Sequence, residues 1–314
     1  MTMMQNSSLM TTYLKLFFSA FFWGGTFVAA RALAQHIGPF SAAFIRFSIA
    51  SVLLIAITIR VEKRFPLPTR KNILPVAVLG LTGIFLYNFC FFSGLKYIEA
   101  SRASVIVANN PILIAFFSAL IFNEKLNLNK IAGIILSVTG AMVVITKGDL
   151  FSIFHESIGK GELYIFGTVA SWVAYSLFGK AFLKNFTPLQ TVTYSVLTGT
   201  ALLLVPALNE GVLSTVPHYR PLDWISLFYL GAFGTVIAFV FYYQGIQAIG
   251  PTRAGQFINF VPISGVLLSA ILLSEPVTLY LLAGLALVIT GMILTNRKAP
   301  ERDSSPVKAG QPRL

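Results

Sequence analysis

Ten long apolar stretches, separated by short polar or charged breaks, run along the 314 residues. They lie near 13–34, 39–60, 73–94, 103–122, 128–147, 161–182, 188–208, 224–246, 252–273 and 277–296. Each matches the ~20 mostly apolar residues that a helix needs to cross a ~30 Å hydrocarbon layer. The pattern predicts an all-α membrane protein with ten transmembrane helices.

Small and polar residues inside these stretches recur at a fixed offset. Gly80 and Gly231, Gly83 and Gly234, Gly94 and Gly245, Arg102 and Arg253, Pro111 and Pro262, Glu124 and Glu275, Gly133 and Gly284, and Gly140 and Gly291 are each 151 positions apart. Upstream the register is 149, pairing Trp23 with Trp172, Arg31 with Lys180 and Pro39 with Pro188. One unit of five helices therefore occurs twice, with a single slip between its second and third helices. Five is odd, so the second copy enters the membrane from the opposite side. Inverted repeats of this kind build alternating access, because exchanging the conformations of the two halves turns an outward-open molecule into an inward-open one. The predicted domains are a first repeat at 1–147, an external linker at 148–160, a second repeat at 161–296 and a disordered tail at 297–314. The tail mixes charge with Pro, Ser and Gly and has no apolar period.

Composition excludes a soluble globule. With 56% hydrophobic and 11% charged residues and a mean hydropathy of +0.78, too few polar side chains exist to cover one. The net charge of +12 points to sidedness rather than to nucleic acid. Placing the N-terminus in the cytoplasm puts sixteen of the 23 Lys and Arg residues on that side, including Arg60, Lys63, Arg70 and Lys71 and five in the tail. Six fall outside, and Arg46 lies within the second helix. Both termini are then cytoplasmic in the cell membrane. The apolar run from Leu16 to Ala30, followed by Ala32-Leu33-Ala34, resembles a signal peptide. Its charged n-region is nearly missing and it has a counterpart around Trp172, so it reads as helix one.

Chemistry concentrates at mid-depth. Pro111 and Pro262 each stand nine residues after an arginine, ~13 Å along the helix. A proline there frees the carbonyl four residues earlier, that of Val107 or Ile258, and predicts a kink. Such a kink is either a packing feature or a hinge beside a cavity, and its occurrence in both halves favours the hinge. Around the prolines lie Asn109, Asn110, Gln256 and Asn259, amides that are costly against lipid. Trp23 and Thr26 of helix one and Trp172, Tyr175 and Ser176 of helix six sit at similar depth. Helix three adds Tyr87, Asn88 and Phe91, and helix eight adds Tyr242 and Tyr243 with Gln244. Single aromatics in membrane helices commonly pack or anchor. The set suits a ligand with an apolar body and a few hydrogen-bonding groups. Arg46 lies ~10 Å in from its helix end; it faces a cavity or snorkels to cap carbonyls.

All eleven acidic residues fall in loops, tails or helix ends. Glu124 and Glu275 close helices four and nine at opposite membrane faces, as gates or loop anchors. The scattered His36, His155 and His218 and the lone Cys90 supply no catalytic cluster and no metal site. Gly133 with Gly140, and Gly284 with Gly291, allow close helix approach and mark helices five and ten as packing elements.

Trp23-Gly24-Gly25-Thr26, Arg46, the run from Gly94 through Ala103 to Pro111, Glu124 with Gly133 and Gly140, and Gly245, Pro251, Ala254, Pro262, Glu275, Gly284 and Gly291 form one series. The chain resembles, over about residues 10 to 297, EamA-domain members of the drug/metabolite transporter superfamily. The resemblance implies a plasma-membrane carrier, often a bacterial exporter of amino acids or related metabolites. It also implies a central cavity formed mainly by helices one, three, four, six, eight and nine. The smaller multidrug relatives use a glutamate in their first helix, and this chain has none there, so their proton exchange does not carry over. The expected partners are a small-molecule substrate and the lipid bilayer, with no nucleic acid and no cofactor; oligomeric state is left open. Exchange of a nucleotide-sugar or phosphorylated solute is the second transporter reading and calls for several cations at the cavity. A receptor or scaffold that does not transport is the reading from another class.

Overall fold

The computed structural model describes residues 2–63, 68–122, 128–149, 159–182, 186–249, 254–255 and 257–296. All regular structure among them is helical. The first half contains α1 (Thr2–Ala34), α2 (Pro39–Glu62), α3 (Arg70–Leu79), a π-helical segment (Gly80–Leu86), α4 (Tyr87–Leu95), α5 (Ala100–Val107), α6 (Asn110–Phe122) and α7 (Leu128–Ile145). The second half contains α8 (Lys160–Phe182), α9 (Pro188–Asn209), the short α10 (Val212–Thr215), α11 (Pro221–Phe228), a second π-helical segment (Tyr229–Ile237), α12 (Ala238–Ile249), a 3₁₀ turn (Phe257–Asn259), α13 (Phe260–Leu272) and α14 (Leu279–Asn296).

Among the described residues, six helices are long and apolar enough to cross a membrane, at Leu9–Ala34, Pro39–Glu62, Arg70–Leu95, Leu128–Ile145, Leu189–Asn209 and Pro221–Tyr242. Phe257–Leu272 and Leu279–Thr295 are shorter apolar helices. Large apolar side chains point outward from the bundle, among them Leu120, Ile135, Leu163, Val205 and Ile271, each 60% exposed or more. A surface of that kind belongs against lipid tails. The predicted tail and most of the predicted linker lie outside the described residues.

Helix starts follow the prolines. Pro39, Pro188 and Pro221 each occupy the first helical position, where the missing N–H costs nothing and φ is already set. Thr187 and Gln190 add a capping box to α9, satisfying two otherwise orphaned groups.

Equivalent helices of the two halves lie antiparallel. In the α2–α9 pair, Thr58 meets Thr193 at 2.9 Å and Ser51 meets Thr200 at 3.1 Å. Ser51 and Thr200 are themselves 149 positions apart, so this bond lies on the axis relating the two copies. In the α7–α14 pair the glycines face one another: a Cβ on Gly140 would stand 2.6 Å from the carbonyl oxygen of Gly284, and one on Gly291 would stand 2.5 Å from that of Gly133. Backbone contact this close requires glycine.

Two features depart from the sequence expectation. The predicted kink at Pro111 is a break instead. α5 stops at Val107, Ala108 and Asn109 turn, and α6 restarts with the Asn109 carbonyl accepting from the amides of Ile112 and Leu113 at 3.1 and 3.0 Å. Pro111 then falls in the first turn of α6, where no intrahelical N–H is required. Pro262 holds the equivalent place in α13, after the 3₁₀ turn. The second feature is the pair of π segments, read from the sequence as plain helix. Both end at the same repeat position, Leu86 and Ile237. Their glycines admit the neighbouring helices: Gly80 takes Thr198 and Gly199, Gly83 the Tyr175 ring, Gly231 the Arg46 carbonyl and Ile49, and Gly234 the Thr26 methyl.

Candidate substrate-binding site

Arg46 is brought inside the bundle by α2 and is 7% exposed. Its Nη1 donates to Asn88 Oδ1 at 3.0 Å and its Nη2 to Thr235 Oγ1 at 3.3 Å. The Phe47 ring lies 4.8 Å from the guanidinium carbon, and Nε is buried with no partner among the described residues. Neither acceptor is free to turn away. Asn88 donates to the carbonyl of Ile84 at 2.8 Å, and Thr235 donates to that of Leu230, five residues back, at 2.9 Å. That i−5 bond follows the π geometry, so the second π segment itself aims one oxygen at the cation, and the first turn of α4, just after the other π segment, aims the second. Arg46 therefore does not snorkel to the helix end.

The predicted aromatic residues divide into two groups. Tyr87 stacks on Phe91 with centroids 5.7 Å apart and meets Trp172 at 5.4 Å, and Trp172 meets Tyr175 at 5.3 Å. Trp23 meets Tyr242 at 5.2 Å and Phe239 at 5.3 Å. Trp23, Tyr87, Trp172, Tyr175 and Tyr242 are half-buried. Phe91 is closed off at 1% exposure, packed edge-on to Phe27. The Ser195 hydroxyl donates to the carbonyl of Thr191. Ser176 bonds back to the Trp172 carbonyl.

The amides also part company. Asn109 accepts from Ser137 Oγ at 2.7 Å and donates to carbonyls of its own helix, pinning the broken helix to α7. Thr26 donates to the carbonyl of Trp23 and packs its methyl at Gly234. Asn110 is buried beside Pro111 with Oδ1 unpaired among the described residues, and Asn259 is half-buried at the start of α13. Glu124, Gln256 and the Tyr243 side chain lie outside what is described.

Carboxylates tie helix ends together. Glu275 accepts from the amides of Ala100 and Ser101 at 2.8 and 2.9 Å, at the N-terminus of α5. Ser274, at φ 54, turns the chain so that Glu275 reaches back. Glu210, after α9, accepts from the Phe40 and Ser41 amides and from Ser41 Oγ at the start of α2. Glu62, ending α2, accepts from Thr187 Oγ1 at 2.9 Å and from Gln190 Nε2 at the start of α9. Each is a negative charge on the positive end of a helix. At the Glu275 end, Arg102 reaches Glu162 at 2.7 Å and the Ile145 carbonyl, Arg31 reaches the Leu95 carbonyl, and His36 meets Asp223 at 2.9 Å. Sequence reasoning missed the roles of Glu62, Glu210 and Thr235; Glu62 and Glu210 are 148 positions apart, one off the 149 register that relates α2 to α9. Two cavities, about 410 and 290 Å³, open at this end. Neither is lined by the aromatic residues singled out above.

Broken helices and polar groups held inside an apolar two-copy bundle define the class of integral-membrane transporters. The chain belongs to the EamA-like transporter family, whose model matches residues 10–146 and 159–297. It is 31% identical to an uncharacterized transporter, YyaM, of Bacillus subtilis, over 90% of this chain and 92% of that one. An uncharacterized transporter of Archaeoglobus fulgidus is 29% identical, covering 92% of this chain and all of that one. A chloroplastic WAT1-related protein of Arabidopsis thaliana is 24% identical over 88% of this chain and 67% of its own. A protein of known crystal structure superposes with a TM-score of 0.61 at 20% identity, over 91% of this chain and 97% of that chain, a likeness of fold.

Proposed function

We propose that this transporter moves small metabolites by alternating access, with export of amino acids or related solutes as the leading activity. It does so as ten helices in two inverted repeats, in the cell membrane with both termini cytoplasmic. The observation that carries this reading is the matched pair of weak points. A helix interrupted at Pro111 and a π segment at Gly80–Leu86 recur at Pro262 and Tyr229–Ile237, and broken helices in corresponding positions of two halves mark transporter binding sites. The positive-inside count places the Glu275 end outside. In this state Glu275, Glu210, Arg102 and Arg31 bind neighbouring helices there. The half-buried rings of Trp23, Tyr87, Trp172, Tyr175 and Tyr242 supply the apolar wall of the substrate site, with Asn110 and Asn259 as hydrogen-bonding groups.

Release from proteoliposomes preloaded with mixed amino acids and common metabolites, read by mass spectrometry with and without a pH gradient, tests this. Selective release of one solute class, reduced at least tenfold in Trp23→Ala or Asn259→Ala with the variant still folded, is the expected result. Solute binding by folded protein with no release from vesicles overturns transport and leaves a receptor.

A further inference from the structure

We propose that Arg46 is the docking point for a carboxylate of the cargo, so that the substrate carries a single anionic group on an apolar or aromatic body. This rests on the transport reading and deepens it.

A guanidinium stays charged under all physiological conditions. Burying one without a counter-charge is costly. Among the described residues no carboxylate pairs with Arg46; both of its hydrogen-bond acceptors are neutral. Its Nε has no partner among the described residues. Nε and the neighbouring Nη2 form one edge of the guanidinium, and the Nη2 bond to Thr235 is the longer of the two. That edge is the shape that binds both oxygens of a carboxylate. Beside it, Tyr87 lies within electrostatic reach of the guanidinium and joins the rings of Phe91 and Trp172. Charge and aromatic surface thus adjoin.

The repeat sharpens the assignment. Under the 149 and 151 registers, Arg46, Asn88 and Thr235 correspond to Ser195, Phe239 and Ile84. Packing demands of the fold are shared by both halves, and the other half meets them with a serine, a phenylalanine and an isoleucine. A cation is therefore not needed to join these helices. One buried cation fits one anionic group, which separates this cargo from nucleotide-sugars and other phosphorylated solutes. A carboxylate that takes Nη2 competes with Thr235 and loosens the tie between α2 and the second π segment, coupling occupancy to the segment that repeats in both halves.

The test uses the purified full chain and a set of aromatic and aliphatic monocarboxylates and N-acetylated amino acids, each beside its own neutral amide. Binding is read by thermal stabilisation and by quenching of tryptophan fluorescence. The expected result is at least one acid bound tenfold or more tightly than its amide, a preference that vanishes in Arg46→Gln and persists, weakened, in Arg46→Lys. Thr235→Val, which removes the competing acceptor, is expected to tighten carboxylate binding two- to fivefold; a purely structural arginine would show no such gain. Should Arg46→Gln fail to fold, the wild-type acid-to-amide ratio and the Thr235→Val shift decide. Equal binding of acids and amides, binding of neither, or a preference that survives Arg46→Gln overturns the proposal. Arg46-dependent binding with no flux in vesicles would sink transport and leave this site standing, whereas release of neutral solutes alone, unaffected by Arg46→Lys, would do the reverse.

Discussion

The two halves of the bundle agree in their backbone and disagree in their charge. Both carry a helix broken at a proline, a π segment ending at the same repeat position, and glycines that admit a neighbouring helix. Arg46, Asn88 and Thr235 meet in one place, and their counterparts Ser195, Phe239 and Ile84 provide no cation. Where two copies of a unit must exchange conformations, the moving parts have to match. A substrate has no such symmetry, so the residues that bind it are free to differ. Repetition therefore marks the machinery and departure from it marks recognition.

The largest expected effect breaks the machinery. A Cβ on Gly231 would stand 2.8 Å from the Arg46 carbonyl oxygen, and one on Gly80 would stand 2.7 Å from the Gly199 nitrogen. Both obstacles are backbone and cannot swing aside. Overpacking of this kind costs ~1–3 kcal/mol and occasionally more, so Gly231→Leu and Gly80→Leu are each expected to abolish a monodisperse, folded species by size-exclusion chromatography. Gly179 on α8 has open space where its Cβ would be, and Gly179→Ala is expected to fold as the parent or up to ~1 kcal/mol better. Leucine tolerated at Gly231 but not at Gly80 would end the claim that the π segments are equivalent.

A smaller effect concerns the helix ends. Glu210 holds the start of α2 and Glu62 holds the start of α9, at opposite ends of the same antiparallel pair. Losing such a cap costs ~0.5–2 kcal/mol. Because the two caps close opposite ends, Glu210→Gln and Glu62→Gln are expected to shift the balance of states in opposite directions by several fold. Labelling of single cysteines introduced at Tyr97 and at Lys15, in vesicles of known sidedness, reads the shift. Shifts of the same sign would show that the caps merely stabilise the bundle.

The repeat, the apolar helices and the glycine contact of α7 with α14 were legible because each is carried by residue type at fixed spacing. The polar architecture was only partly so. Arg46 stood out as a charge in an apolar run, yet its partners came from other helices, and a threonine in a glycine-rich stretch announces nothing. The π segments were illegible because widening a helix by one residue leaves its apolar run intact. The prolines signalled a distortion, but whether a helix bends or breaks depends on which amides find new acceptors, and Asn109 took two. Phe91 and Asn109 look from sequence like the other aromatics and amides of the set; packing against Phe27 and the bond from Ser137 fix them in the bundle.

The smallest effect lies on the axis between the copies. Ser51 and Thr200 share one hydrogen bond at 3.1 Å, and Thr200 also donates to the Val196 carbonyl. Hydrogen bonds between membrane helices average ~0.6 kcal/mol, and replacing both partners by apolar groups is close to neutral. Ser51→Ala and Thr200→Val are each expected to lower the melting free energy by less than ~1 kcal/mol, with a coupling of roughly half that in the double variant. The sharper consequence concerns bias rather than stability. An exchange of conformations between the two halves maps this pair onto itself, so the bond is the same in both states and its removal favours neither. The cysteine-labelling ratio should therefore stay at the parent value in the double variant, in contrast to Glu62→Gln and Glu210→Gln. A shift in that ratio would mean that α2 and α9 do not exchange roles, and that the asymmetry around Arg46 reaches into the machinery itself.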